Sequence, residues 1–273
     1  MIAGPAALAG RQLFEPLAPW LGLLPNDRLP TCDELNLLLA REPSCRLADG
    51  RPMRCLLPER AGPGGYEAGI RAGGGIPTRP GDWHDCFNAL VWRAFPASKE
   101  AINQRHCGEI ARCPGAPARG PVRDALTQFD ECGVLVVSHD PALCAGLAER
   151  RWEAVFHGRR EDVVAGMAFI VFGHATYDQL RAPFQGLCAK AVYRQVAPQW
   201  FDLAPEARWR EADGWLSGWI REGLMRPKDL SPLPLLGVPG LTQESEAATY
   251  YQDTGQFRPL PAGRTPAPCW GTV

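Results

Sequence analysis

Hydrophobic and polar positions follow several distinct rhythms along the 273 residues. Near the start, Leu35, Leu38 and Leu39 recur at helical spacing behind Thr31, a suitable N-cap, and predict a helix over about Cys32–Arg41. Residues 61–82 hold eight glycines and end in two prolines, a composition that predicts a loop. The following stretch, Trp83–Pro96, sets Phe87, Leu90, Val91 and Ala94 on one helical stripe, with Asp82 as N-cap and Pro96 as the stop. Ser98 is read as the cap of a second helix running to about Cys107. The Pro- and Gly-rich segment 111–122 comes next, and its tip is expected to be mobile.

In the second half, RDALTQFDECG predicts a helix closed by Gly133 as its C′ residue, followed by the short strand VLVVS. Pro141 opens another helix, to about Arg151. The run Glu161–Leu180 is apolar on most sides, which predicts a central buried helix. GLCAKAVYRQV reads as a strand, and a tryptophan-rich helix begins near Pro205. Beyond Arg226 the prolines predict an extended tail across the surface. The sum is an α+β, predominantly helical fold, built on a central buried helix with a few short strands. It is expected to be a single globular domain over residues 1–273, with an N-terminal arm to about residue 60 and an extended tail over about 227–273.

Composition narrows the function. A hydrophobic content of 45% and nine tryptophans supply a sizeable core. The 29 basic and 30 acidic residues leave a net charge of -1, so no global field draws nucleic acid or anionic lipid, and neither is expected as a partner. Ten cysteines are scattered without a C-x-x-C pair, which argues against a zinc ribbon or a thioredoxin-like site. The first sixteen residues make a poor secretory signal, and no apolar run reaches the roughly 18 residues that a membrane span needs. A cytoplasmic location with reduced thiols is the expectation.

Candidate chemistry centres on five histidines. His84 and Asp85 open the Trp83 helix, with Asn88 one turn beyond, and a His-Asp doublet there offers two metal ligands or a proton-transfer pair. The competing reading has Asp85 complementing the helix dipole and His84 packing on Trp83. His106 follows Asn103 on one side of the next helix, where a histidine near the C-terminus can simply serve the free carbonyls. His174 interrupts the most apolar segment, where burial demands a partner, and Asp178 four residues on is the expected one. Its alternative is a ligand or base pointing into a pocket. Arg123, Asp124, Asp130 and Glu131 concentrate charge on one short helix, with Asp130 at the boundary between its polar and apolar faces, although such a face is also what solvent selects. His139 and His157 look peripheral. There is no G-x-S-x-G elbow, Walker A loop or HExxH, and an HD-type phosphohydrolase pattern lacks its upstream histidine.

The segments YEAGIRAGGGIPTRPGDWHDCFNALVWRAFPASKEAINQRH, RDALTQFDECGV and VFGHATYDQL, and more weakly PLPLLGVPG with YYQDTGQFRPL, resemble the bacterial domain-of-unknown-function family three-zero-two-five. The resemblance covers much of residues 66–260 and implies matching positions rather than an activity. Those positions are Trp83, His84, Asp85, Asn88, Lys99, Asn103, His106, Arg123, Asp124, Asp130, Glu131, Gly173 and His174. The chain departs from the pattern at Leu241, where an aromatic residue is expected.

Two readings follow. One is a metal-assisted or acid/base enzyme, in particular a hydrolase, with His84, Asp85, Asp130 and Glu131 in catalysis and a divalent metal ion on His84, His106 and His174. Arg79, Asn88, Lys99, Asn103, Arg123 and Asp124 would bind a small-molecule ligand, with Arg79, Lys99 and Arg123 suited to a phosphorylated one. The other is a non-catalytic binding or scaffold protein whose polar residues form buried networks.

Overall fold

The computed structural model describes residues 4–41, 43, 45–60, 65–113 and 119–271. In chain order the elements are α1 (Ala18–Leu21), α2 (Cys32–Leu39), β1 (Arg54–Leu56), α3 (Tyr66–Gly73), β2 (Gly75–Pro77), α4 (Trp83–Ala94), α5 (Pro96–Arg112) and α6 (Gly120–Cys132). Then come β3 (Gly133–Ser138), α7 (Pro141–Ala148), α8 (Trp152–Phe156), α9 (Arg160–Gly166), β4 (Met167–Val171), α10 (His174–Leu180), β5 (Cys188–Gln195), α11 (Pro205–Glu222), β6 (Ser231–Pro234) and β7 (Cys269–Trp270). The fold is α+β and predominantly helical.

The larger sheet has the order β4-β3-β5-β6, with β7 against β5. Strand β3 lies parallel to β5 and antiparallel to β4, so Leu135 faces both Val192 and Ile170 in register. All six residues of β3 are buried, which is why the segment reads as an unbroken apolar run.

This sheet corrects the reading of residues 161–180. Instead of a central buried helix, the chain forms α9, strand β4 and α10. Periodicity cannot separate a buried helix from a buried strand in so apolar a run; pairing with β3 decides it. The most buried helix is α4, with nine buried residues.

The glycine-rich stretch is also more ordered than a loop. Among its described residues, α3 crosses between the parallel strands β1 and β2, while 61–64 lie outside the described set. Gly74 ends α3 at φ 68 in the left-handed region, and Ile70 is buried within it. The glycines therefore cap the helix at its ends.

Two helix starts match their expected caps, and the next helix departs from its expected one. Thr31 and Glu34 form a reciprocal capping box on α2, and Asp82 accepts a hydrogen bond from the Asp85 N–H at 3.0 Å to start α4. Helix α5 starts at Pro96, earlier than Ser98. Its first turn is capped in trans, because the Asp213 carboxylate on α11 accepts hydrogen bonds from the Ala97 and Ser98 N–H groups at 3.0 and 2.8 Å. Gly133 is extended and opens β3 directly after α6. The tip of the Pro/Gly segment, 114–118, lies outside the described residues.

Both chain ends share the core. Phe14 from the N-terminal arm packs on Phe87 and Tyr177, with ring centroids 6.0 and 5.4 Å away. The C-terminal stretch adds β6 to the sheet and buries Leu235, Val238, Tyr251 and Phe257, so it is more than a surface tail. Among the described residues, no helix is long and apolar enough to cross a membrane.

Candidate metal and ligand pocket

A cavity of about 440 Å³ opens where α3, α4, α5, α6 and α10 converge. His84, Asp85 and Asn88 come from the first turns of α4, His106 from the middle of α5, and His174 from the start of α10. Helix α6 supplies Arg123, Asp130 and Glu131.

Gly173 brings α10 to α6. A Cβ at Gly173 would lie 2.4 Å from the Glu131 carbonyl oxygen and 2.6 Å from the Cys132 Cα, so only glycine permits this approach. The Gly173 N–H also donates to the Gly133 carbonyl at 2.8 Å. His174 is thereby held over the end of α6.

The result is a three-residue cluster. Nε2 of His84 and Nε2 of His174 are 3.1 Å apart, and Oε2 of Glu131 lies 3.8 and 3.5 Å from them. A tetrahedral site with ligand distances of about 2.0–2.1 Å has edges of about 3.3–3.4 Å. The three separations bracket that edge, so His84, His174 and Glu131 fit one divalent cation.

Behind the cluster stands a buried ionic support. Lys99 Nζ donates to Asp130 Oδ1 at 2.6 Å and to Asn88 Oδ1 at 2.9 Å, and Asn88 Nδ2 donates to the Tyr66 hydroxyl at 2.6 Å. The other carboxylate oxygen, Asp130 Oδ2, faces His174 Nδ1 at 3.9 Å. Burial works to raise the Asp130 pKa, but the Lys99 ammonium, with help from His174, outweighs it and holds the carboxyl below its ordinary value. Burial drives His174 down to about 3, so its ring is neutral and has a lone pair to offer. Glu131 is raised by burial against the pull of His84.

Asp85 is committed elsewhere. Its carboxylate accepts from the Arg79 Nε and Nη2 at 2.8 and 2.9 Å and from the Arg79 backbone N–H at 2.7 Å. Burial raises its pKa, but the Arg79 hydrogen bonds and charge leave it below the usual value. Trp83 stacks on Phe87 at 5.5 Å rather than on His84.

His106 lies in the same cavity but apart from the cluster, with its Nε2 3.9 Å from Glu67 Oε1. It is buried in mid-helix rather than near free carbonyls. Asn103 holds Glu67, donating to its Oε2 at 2.7 Å, and so acts on the pocket indirectly. Asp124 is exposed and does not line the cavity. Asp178 pairs with Arg181 at 2.6 Å, which removes it as the partner of His174. Outside the cavity, His139 packs on Phe201 and His157 beside Tyr251.

Sequence reasoning missed Tyr66, Glu67, Arg119 and Thr127, which also line the cavity. The first two were hidden by the glycines around α3. Arg119 and Thr127 had a usable signal, since they flank Arg123 at intervals of four residues on one helix face.

Fold and cavity together define a predominantly helical α+β protein with a histidine- and carboxylate-lined pocket of metabolite size. A family model described as a protein of unknown function (DUF3025) matches residues 57–261, and the chain belongs to that family. The match spans every element that lines the pocket. No curated protein and no solved structure matches the chain.

Proposed function

We propose that the pocket is the active centre of a metal-assisted hydrolase, in which His84, His174 and Glu131 hold a divalent ion. The observation that carries this reading is the meeting of two imidazole Nε2 atoms and one carboxylate oxygen, from three different helices, at separations of 3.1, 3.5 and 3.8 Å. A divalent ion with three protein ligands supplies Lewis-acid polarisation and a water acidified towards neutral pH.

The chain's own residues do the rest. Asp130 Oδ2 lies 3.9 Å from His174 Nδ1, beyond hydrogen-bond reach, and its negative charge favours a proton on Nδ1, which leaves Nε2 free to ligate. Lys99 keeps Asp130 ionised. In hydrolysis, hydroxyl goes to the electrophilic centre and the departing group takes a proton. Glu67, raised by burial first and by Asp130 second, is the group suited to deliver that proton.

The test is metal analysis of the purified full chain, with calorimetric titration of Zn²⁺, Mn²⁺ and Co²⁺. Equimolar metal is expected, lost in a His84→Ala/His174→Ala double variant, together with turnover in a panel of chromogenic esters, amides and phosphoesters. A protein that takes up none of these ions and melts identically with and without chelator rejects the proposal.

The alternative, a non-catalytic binding protein, draws support from the buried Lys99, Asp130 and Asn88 network. Under it, His174→Ala lowers stability and changes no metal or ligand binding.

A further inference from the structure

We infer that the part of the pocket formed by the first turns of α6 is an anion subsite, and that the hydrolysed molecule carries a carboxylate or phosphate seated on Arg123 and Arg119. The role as substrate rests on the hydrolase reading above. The subsite stands on different residues.

Helix α6 runs along the cavity and presents Arg119 at its N-cap, then Arg123, Thr127, Asp130 and Glu131 on the cavity side. At about 1.5 Å of rise per residue, the backbone positions of Arg123 and Glu131 are roughly 12 Å apart. One helix thus sets cations at its start and Glu131 of the histidine cluster at its end. The cavity volume of about 440 Å³ suits a metabolite long enough to reach both.

The other cations around the pocket are already satisfied. Arg79 is paired with Asp85 and Asp82, and Lys99 with Asp130. Arg123 differs, because its Nε is buried with no acceptor, and it makes no ion pair among the described residues. Arg119 is exposed and gives one hydrogen bond, at 3.2 Å, to the neutral Thr127 hydroxyl. Glu67 shares the cavity, but it is held by Asn103 and pairs with neither arginine among the described residues.

The backbone adds to the same field. The first turn of α6 carries no acidic residue and no side-chain cap, so the positive end of its dipole is also uncompensated. On α5, His106 Nδ1 is buried without a partner and lines the same cavity. A guanidinium whose buried N–H has no acceptor is left uncompensated, and an oxyanion that bridges the two arginines from the cavity supplies the missing negative charge through charge-assisted bonds.

Inorganic phosphate and succinate are the probes, titrated by calorimetry and thermal shift in chelator, at constant ionic strength with chloride as background. At least one should bind the wild-type chain, more than tenfold weaker in Arg123→Gln, and unchanged in the distant exposed-site control Lys228→Gln. Arg119→Gln gives a second variant if Arg123→Gln fails to fold, and circular dichroism monitors folding. Phosphate binding alone points to a phosphorylated substrate; succinate binding alone points to a carboxylate. Absence of binding by both, or equal binding by wild type and both arginine variants, overturns the inference. The His84→Ala/His174→Ala variant separates the two claims. Anion binding that survives there in a protein that never binds metal keeps the subsite and removes the hydrolase, whereas metal binding without anion binding does the reverse.

Discussion

Gly173 and Glu131 are in direct backbone apposition, close enough that a methyl group on Gly173 would fall 2.4 Å from the Glu131 carbonyl oxygen. This contact fixes where His174 enters the pocket. A Gly173→Ala substitution must push α10 away from α6, and overpacking of this kind costs about 1–3 kcal/mol. The expected result is a lower melting temperature and, because His174 moves with α10, metal affinity that falls by more than tenfold. A variant with wild-type stability and metal binding would show that the apposition is not rigid.

The ion pair between Lys99 and Asp130 supports the same site from behind. Lys99 is buried and Asp130 largely so, at 2% and 14% side-chain exposure. Replacing Lys99 with Met leaves the Asp130 carboxylate without its cation, and breaking a buried pair in this way costs about 3–5 kcal/mol. In Lys99→Met/Asp130→Leu much of that loss should return, since neither charge then remains buried. Urea unfolding of the single and double variants measures this, and equal destabilisation in both would contradict it.

How much of this was legible in sequence varies by element, for physical reasons. Helix α4 was readable because its signals are local: Asp82 caps it, the Phe87 stripe gives its face, and Pro96 follows its end. Residues 167–172 were not, since they are apolar on every side, and the choice of strand is made by pairing with Val134–Ser138, about thirty residues earlier in the chain. Tyr66 and Glu67 were lost for another reason. The glycines flanking their helix look like breakers in sequence, yet Gly65 and Gly74 use positive φ to bound it. Histidines and acids were identifiable as types. What brings His84 to His174 across 90 residues is the sheet and the Gly173 contact, neither of which follows from spacing.

Asp213 should matter for folding even though it is remote from the histidine cluster. It caps α5 from α11 and also accepts the Ser98 hydroxyl on its backbone carbonyl at 3.1 Å. Asp213→Ala removes the acceptor of the buried Ser98 N–H and the partly buried Ala97 N–H, at a cost of about 1–2 kcal/mol for the lost cap. Thermal melting should show this loss without any change in metal stoichiometry. A change in metal content would mean that α5 has shifted His106 in the pocket or Lys99 behind it.

His106 makes the pH dependence of stability testable. Burial, partly offset by Asp130, lowers its pKa from 6.5 to about 4. Because the folded value lies below the unfolded one, the unfolded chain takes the proton first as pH falls. The contribution of this group is therefore complete above about 6.5 and is lost progressively as the pH drops towards 4. A shift of this size corresponds to at most about 3 kcal/mol. Replacing His106 with Gln, which keeps a polar side chain but cannot titrate there, should flatten that part of the stability profile while leaving the plateau above pH 7 within about 1 kcal/mol of wild type. Urea titrations at intervals between pH 4 and 8 decide it, in chelator so that metal binding does not contribute. An unchanged slope in His106→Gln would assign the acid sensitivity to other groups.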